Sequence, residues 1–342
     1  MQQATQQFEF HGKASEFFKI WIVNIMLSIV TLGIYSAWAK VRTKRYFYSN
    51  TLLLNTPFDY LADPIKILKG RALAFTLIIV YSLSGMLSPA IQGIVLLLFL
   101  VALPWIIIKA LKFTLYNSAY RNIRFHFNAE YLQALGVFIG YPVLVALTLG
   151  LAYPAFVKAR KKFVIDHSAY GTSGFTMSAT TGQFYGVYMK TTAIVVLSFL
   201  LVFAVFKAVQ LSKVIPIETN QPAMLPLMLN FLLIPLLIAA YAYLYTAITN
   251  LFVNHTALQQ CRFESTLKTS EICWLYFVNT LAIIFSLGLL IPWAMIRTSR
   301  YRLSRLTMIS NGDIDAFIAA ESENTEALGE ELDDLLDLDI GL

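Results

Sequence analysis

Three segments of the chain repeat one pattern: TLGIYSAW at residues 31–38, TLGLAYPA at 148–155 and SLGLLIPW at 286–293. They align without a gap, and a weaker copy begins at Pro104-Trp105. Self-similarity of this kind indicates duplicated structural units. The glycine at the third position is predicted to make a tight turn between two helices, because glycine adopts a positive φ without steric cost. These turn glycines are Gly33, Gly150 and Gly288.

A second motif places a Phe eight residues after an Asn or His. The pairs are Asn50 and Phe58, Asn117 and Phe125, His167 and Phe175, and His255 and Phe263. Apolar and polar residues alternate around several of these positions and in Phe8-Glu9-Phe10, which indicates short strands. A position that accepts Asn or His favours a hydrogen-bonding role, so we predict no metal site. Each unit then reads strand, helix, turn, helix with a basic end, strand, used about five times.

The composition is that of a membrane protein. The chain is 58% hydrophobic and 13% charged, whereas soluble domains carry about 25% charged residues. Several apolar runs approach the length of about 20 residues that a helix needs to cross a bilayer. We predict an α-helical polytopic membrane protein (α+β) of repeated helical hairpins, with short cytoplasmic β-strands pairing into one or more small sheets. The predicted membrane domain covers 1–312, in units of about 8–58, 58–125, 125–175, 175–263 and 263–309.

The basic residues set the expected topology, because Lys and Arg beside membrane spans stay cytoplasmic. Bases or strand motifs flank both sides of each glycine-containing unit, so each unit would enter and leave on the same face. These units would be re-entrant half-helix pairs, or hairpins in a thinned bilayer. The alternative is one conventional span for each unit, which gives seven spans and termini on opposite faces. We favour the hairpins, with a multi-pass chain and both termini cytoplasmic.

The last 30 residues, 313–342, differ in charge from the rest. They hold 11 of the 20 acidic residues and none of the 26 Lys and Arg. We predict a disordered acidic tail, since so few apolar residues cannot form a core alone. The alternatives are an acidic strap that folds back on the basic face and a peptide that docks on a partner.

Basic residues recur at the ends of the second helices, and they are the best candidates for binding an anionic headgroup or solute. They are Arg42, Arg45, Lys109, Lys112, Lys158, Lys162, Arg297 and Arg300. A belt of such charges attracts an anionic leaflet, although simple topology signalling also explains it. Three tryptophans near these positions are predicted to anchor the protein at the membrane interface. They are Trp38, Trp105 and Trp293.

Three stretches together resemble the YjgN-like family of bacterial inner-membrane proteins. They are FEFHGK at 8–13, TLGIYSAWAKVR at 31–42 and YFYSNT at 46–51. The resemblance covers about residues 8–309 and leaves the acidic tail outside. It implies a bacterial inner membrane as the location. The family has no established function, so the resemblance implies no active-site residues.

Three functions compete at this point. A small-solute transporter or channel is favoured by the repeats and the possible re-entrant helices. A membrane-embedded lipid-binding or scaffold protein is the alternative, and the basic belt predicts that its partners are anionic membrane lipids. An enzyme lacks a nucleophile motif, a phosphate loop or a dinucleotide fingerprint, so we predict no catalysis and no cofactor. Nucleic acid is not expected as a partner, and the sequence does not indicate an oligomeric state.

Overall fold

The computed structural model describes residues 4–212, 224–312 and 314–332. Helix pairs alternate with pairs of short strands along the chain. The helices are α1 (Ala14–Val30), α2 (Ser36–Ser49), α3 (Pro64–Leu87), α4 (Pro89–Tyr116), α5 (Tyr131–Leu135), α6 (Tyr141–Leu147), α7 (Tyr153–Asp166), α8 (Thr181–Ser212), α9 (Met224–Asn254), α10 (Thr269–Phe285), α11 (Ile291–Ser304) and α12 (Ile314–Leu332). A π-helical turn, Gly136–Gly140, joins α5 to α6.

The strands are short and all pair in antiparallel fashion. They are β1 (Ala4–Gln7), β2 (Glu9–Phe10), β3 (Thr51–Leu53), β4 (Thr56–Tyr60), β5 (Ser118–Tyr120), β6 (Ile123–Phe127), β7 (Ser168–Tyr170), β8 (Ser173–Met177), β9 (Thr256–Leu258), β10 (Cys261–Ser265) and β11 (Leu306–Ser310). They form one 11-stranded sheet in the order β1-β11-β10-β9-β8-β7-β6-β5-β4-β3-β2. Only Phe8 separates β1 from β2 along the chain, and these two strands are the two edges of the sheet. The sheet is therefore a nearly closed barrel.

The prediction of small sheets on a helical membrane protein was wrong, because the strands form this single nearly closed barrel. The alternation that predicts a strand lies within a few neighbouring residues, whereas the strand that it pairs with is far away in the sequence. Phe58 of β4 lies opposite Tyr120 of β5, and Phe125 of β6 lies opposite Tyr170 of β7. A complete helix pair separates the partners in the sequence, so alternation within one strand cannot reveal which strand lies beside it.

Helices and tight turns attach to opposite edges of the barrel. Each helix pair leaves at the end of one strand and returns at the start of the next. At the other edge, strands are joined by two-residue turns. Leu54-Asn55 and Arg121-Asn122 both have two positive φ angles, as type I′ hairpin turns require.

The helix pairs form a closed ring on the helical side of the barrel. Within the ring α2 contacts α3, α4 contacts α5, α7 contacts α8, α9 contacts α10, and α11 contacts α1. Two pairs, α3–α4 and α8–α9, are long, and the other three are short. The five pairs therefore surround a common axis that continues into the barrel.

The short pairs share one turn. Its glycines, Gly33, Gly150 and Gly288, have φ angles of 92°, 93° and 91°. A leucine precedes each glycine and also has a positive φ, of 49° to 51°. These leucines, Leu32, Leu149 and Leu287, are 94–95% exposed at the tips of the hairpins. An apolar side chain held out at a tip is unfavourable in water and suits a lipid environment.

Candidate functional site: an aromatic bore closed by the C-terminal helix

The interior of the barrel is lined by five phenylalanines, one each from β4, β6, β8 and β10 and one between β1 and β2. These five, named here the phenylalanine ring, are Phe8, Phe58, Phe125, Phe175 and Phe263. Ring centroids are 6.2 Å apart for Phe8 and Phe58, 6.4 Å for Phe125 and Phe175, and 6.1 Å for Phe175 and Phe263. Residues directly opposite each other on paired strands share a face. The cross-strand partners Tyr120, Tyr170, Leu258 and Met308 therefore point into the same interior.

A cavity lies on each side of this ring. The vestibule, on the helical side, has a volume of about 460 Å³ and is bordered by α2, α4 and α11. The bore cavity, inside the barrel, has a volume of about 200 Å³. Phe8, Phe58 and Phe125 line both cavities. These three members of the phenylalanine ring therefore lie at the boundary between the two cavities.

Helix α12 closes the opposite mouth of the barrel. Ile314 and Ile318 are buried in the barrel core, and Phe317 packs against it. The spacing of these three residues places them on one face of a helix. Asp315 pairs with Arg121 in the turn between β5 and β6. The apolar face of α12 thus fills the bore from the turn edge.

A buried carboxylate fixes α12 further along. Glu321 is 3% exposed. Its oxygens accept hydrogen bonds from the backbone N–H of Thr172 at 2.7 Å, from Oγ1 of Thr172 at 2.9 Å, and from Oγ of Ser173. A buried carboxylate is tolerated when several donors replace its hydration. The sequence predicts a disordered tail over 313–342, but the structure has a helix there, α12, over Ile314–Leu332. Residues 333–342 lie outside the described ones.

None of the described residues that line the bore cavity is charged near neutral pH. Burial raises the pKa of the Tyr120 phenol, and burial together with Tyr120 raises that of Tyr170. Both hydroxyls donate to backbone carbonyls, of Leu53 at 2.7 Å and of Tyr120 at 3.1 Å. Burial also raises the pKa of the Cys261 thiol, which keeps it unreactive. Among the described residues that line the two cavities, Arg302 of the vestibule is the single charged one.

Three of the eight basic residues predicted from the sequence hold strand ends. Arg45 donates from Nε to the carbonyl of Tyr60 at 3.2 Å and from Nη2 to that of Ala62 at 3.3 Å. Nζ of Lys162 donates to the carbonyl of Met177 at 3.2 Å. Nη2 of Arg300 donates to the carbonyl of Gly12 at 2.8 Å. Each acceptor lies where a strand passes into the next helix, so these cations fix the junctions between barrel and helices.

The other five have different surroundings. The guanidinium of Arg297 lies 5.2 Å from the ring of Trp293 and donates to Oδ1 of Asn279 at 3.3 Å. Nζ of Lys109 lies 5.9 Å from the ring of Trp105, which is exposed. Lys112 is near His126, whose pKa is lowered by burial, by Arg124 and by Lys112. Arg42 is exposed on α2 and Lys158 is half-buried on α7. Trp38 stacks on Tyr35 at the hairpin turn. The eight basic residues thus have different partners, and their binding of a headgroup or solute stays a prediction.

The Asn or His that precedes four members of the phenylalanine ring by eight residues has a hydrogen-bonding role, as predicted. Asn50, Asn117, His167 and His255 each bond, at 2.8 Å, to the carbonyl four residues earlier at the end of a helix. No group of three or more His, Cys, Asp or Glu lies close enough to hold a metal among the described residues.

Replacing Arg300 by Gln is expected to lower the free energy of unfolding by about 1–2 kcal/mol, because a charge-assisted hydrogen bond is lost. The matched control is Arg42→Gln, which removes the same charge from an exposed place on α2. Thermal unfolding in detergent measures both. Equal stability of the two variants would show that the carbonyl contact of Arg300 contributes nothing.

The match of a family model decides the identity of the chain. The sequence model of the family DUF898, described as a bacterial protein of unknown function, matches residues 5–335. The chain belongs to the DUF898 family. The match includes the whole of α12, whereas the resemblance carried by the sequence motifs ends at about residue 309. No solved structure matches the chain.

Curated relatives of this DUF898 member carry the name that the sequence motifs indicated. Inner membrane protein YjgN of Salmonella typhimurium is 31% identical over 141 residues, which are 41% of this chain and 36% of that protein. Inner membrane protein YjgN of Escherichia coli K12 is 30% identical over 159 residues, 45% of this chain and 39% of that protein. The chain thus matches well under half the length of these relatives. The resemblance to YjgN-like proteins is confirmed.

The helices fit the membrane location of these relatives. In the part of the chain that the structure describes, four helices are long and apolar enough to cross a membrane: Pro64–Leu87, Pro89–Tyr116, Thr181–Ala208 and Leu233–Asn254. Two shorter apolar helical segments are Tyr131–Leu147 and Thr269–Phe285. The DUF898 member is a membrane protein, and its relatives are inner-membrane proteins.

Proposed function

We propose that the protein is a channel for small solutes whose path follows the axis of the helix ring and passes through the barrel. The observation that carries the proposal is the pair of cavities that meet at the phenylalanine ring. A path needs open volume on both sides of its narrowest point. Here the vestibule is bordered by α2, α4 and α11, and the bore cavity lies inside the sheet.

The arrangement corresponds to a closed channel. A constriction lined by apolar side chains excludes water and blocks polar solutes without a covalent obstruction. The phenylalanine ring supplies that constriction, and Ile314, Phe317 and Ile318 of α12 supply a second barrier below it. The two barriers act in series, so a solute must pass both.

A channel suits the chain better than a proton-coupled carrier. The four long apolar helices contain no Asp or Glu. Proton-coupled carriers commonly place such acids in the membrane as relays. In this proposal the protein is not an enzyme, since passage along the bore requires no bond to be made or broken.

The lengths of the helix pairs suggest how the channel sits in the bilayer. The long pairs, α3–α4 and α8–α9, cross it fully. Helix α1 has 17 residues and α2 has 14, so α1 extends about 25 Å and falls short of a hydrocarbon core of about 30 Å. The short pairs therefore enter part of the way, with Leu32, Leu149 and Leu287 in lipid. The basic second helices join the barrel, and Lys and Arg beside membrane spans favour the cytoplasmic side. In this proposal the barrel and both termini are therefore cytoplasmic.

The lipid-binding or scaffold function predicted as the alternative has less support at the basic belt. Arg45, Lys162 and Arg300 already donate to backbone carbonyls. Binding a headgroup there would compete with contacts that hold the barrel to the helices.

Planar bilayers containing the purified full-length protein test the channel proposal. We expect discrete steps of current or, for uncharged solutes, faster swelling of proteoliposomes than of protein-free vesicles. Solutes of increasing size give the width of the path. Silent bilayers and unchanged swelling, both with the native chain and after removal of α12, would rule the channel out.

A further inference from the structure

A groove between α1 and α2 has two chemically different walls. Its volume is about 490 Å³. Trp21, Ile25 and Ile29 of α1 form the apolar wall, and Ser36, Lys40 and Lys44 of α2 form the polar wall. Residues four apart on a helix lie on one face, so each wall is a continuous stripe along its helix. The groove therefore suits a molecule with an apolar side and an anionic side.

The floor of the groove contains a buried acceptor that lacks a donor. Asn24 lines the groove and is 5% exposed. Its Nδ2 donates to the carbonyl of Ala39 and to Oγ1 of Thr43, both at 3.4 Å. Its Oδ1 has no hydrogen-bond partner among the described residues. An unpaired buried acceptor is costly, so the groove favours a ligand that brings a donor.

The fifth helix pair shows how the same amide is satisfied elsewhere. Asn279 of α10 donates to the carbonyl of Ala294 at 3.4 Å and to Oγ1 of Thr298 at 3.0 Å. Its Oδ1 accepts from Nη1 of Arg297 at 3.3 Å. In the first pair the corresponding arginine, Arg42, leaves Oδ1 of Asn24 without a donor. This amide oxygen is unpaired in the first helix pair and bonded to Arg297 in the fifth.

Three positively charged side chains lie near this unpaired amide oxygen. Lys44 and Lys40 repel each other, and Lys40 is also repelled by Arg71. The guanidinium of Arg71 donates to Oγ of Ser36 at the end of the polar wall. No acidic side chain is among the described residues that line the groove. A bound anion would relieve the repulsion among these cations.

We propose that the groove binds an anionic phospholipid whose headgroup carries a hydroxyl group. The phosphate lies between Lys40 and Lys44, and the hydroxyl donates to Oδ1 of Asn24. An acyl chain follows Ile25 and Ile29 toward the hairpin tip, where Leu32 is exposed. The apolar wall distinguishes this lipid from a free phosphate, which would leave that wall in contact with water. This inference is independent of channel activity and uses none of the eight residues of the basic belt.

Native mass spectrometry of the full-length protein in mild detergent tests the proposal. Phosphatidylglycerol is titrated in, with phosphatidylcholine as the zwitterionic comparison and glycerol phosphate as the free anion. We expect phosphatidylglycerol to bind more tightly than both. The double variant Lys40→Gln, Lys44→Gln is expected to weaken its binding about tenfold or more, because each base near an anionic headgroup contributes to affinity.

A matched control separates the groove from general surface charge. Lys66 and Lys69 are exposed at the start of α3, so Lys66→Gln with Lys69→Gln removes the same charge outside the groove and is expected to leave binding unchanged. Asn24→Leu is expected to abolish the preference for phosphatidylglycerol over phosphatidic acid, which lacks the glycerol hydroxyls. Three results would each overturn the proposal. The first is that both lysine double variants lose affinity for phosphatidylglycerol equally. The others are that phosphatidylcholine, or glycerol phosphate, binds as tightly as phosphatidylglycerol.

Discussion

Ending the chain after Gly312 is expected to raise solute flux through the protein by at least about tenfold, because removal of α12 unblocks the bore. Complete burial of a side chain such as Ile or Phe contributes about 1.5–3 kcal/mol, and three such residues close the bore: Ile314, Phe317 and Ile318. A change of about 1.4 kcal/mol in the closing equilibrium already alters the open-to-closed ratio tenfold. Efflux of a small solute from proteoliposomes measures the change.

Adjacent positions of α12 provide a sharper pair of variants. Ile318 is buried in the barrel, whereas Ala319 is exposed on the other side of the helix. Ile318→Gln places an amide in the apolar bore and should loosen the plug, while Ala319→Gln should leave flux at the native level. Flux that rises equally in both would mean that the helix, rather than its apolar face, controls the path. Flux unchanged by the truncation would show that α12 does not close the channel.

The sequence contained a signal for this helix that its composition obscured. Acidic residues dominate 313–342, and high charge with few aromatics is typical of disorder. However, Ile314, Phe317 and Ile318 have the i, i+3, i+4 spacing of an amphipathic helix. The acidic strap weighed against disorder is the closer description, since Asp315 pairs with Arg121. The partner for the apolar face could not be predicted, because it is a barrel interior assembled from every strand pair.

Turns were predictable from the sequence, and barrel closure was not. Gly33 has the positive φ that its repeated context indicated, because a tight turn is determined by a few neighbouring residues. The barrel closes because β1 and β2, separated by Phe8, pair with opposite ends of the sheet. The bond from Arg300 to the carbonyl of Gly12 joins residues 288 positions apart. Contacts of that range depend on the whole chain, and spacing within one unit carries no information about them.

The constriction itself was visible in the sequence as a spacing without an assigned role. Phe58, Phe125, Phe175 and Phe263 each follow an Asn or His by eight residues. This spacing indicated a repeated strand. It could not indicate that the rings converge, because convergence requires the strands to curve into a closed sheet. Once the sheet is closed, the same strand position in each unit faces the same level of the bore.

Replacing Phe58 and Phe125 by Ser is expected to raise flux strongly in the chain that ends after Gly312, and little in the full-length chain. Serine hydroxyls let water enter a constriction that phenylalanine keeps dry. Both residues line the vestibule and the bore cavity, so both lie at the constriction. In the full-length chain α12 still blocks the path below the ring, and two barriers in series limit flux by the higher one. Truncation and ring substitution should therefore be non-additive in a double-mutant cycle of flux.

Phe47→Ser is the matched control, because Phe47 lines the vestibule but not the bore cavity. Its loss should leave the flux of the truncated chain unchanged, provided that thermal unfolding shows each variant to be folded. If Phe47→Ser raises flux as much as the ring substitutions, the phenylalanine ring is not the constriction. If the ring substitutions act equally with and without α12, the two barriers do not lie on one path. The expected pattern, in which the ring substitutions act strongly only after α12 is removed, requires a single path through the helix ring and the barrel.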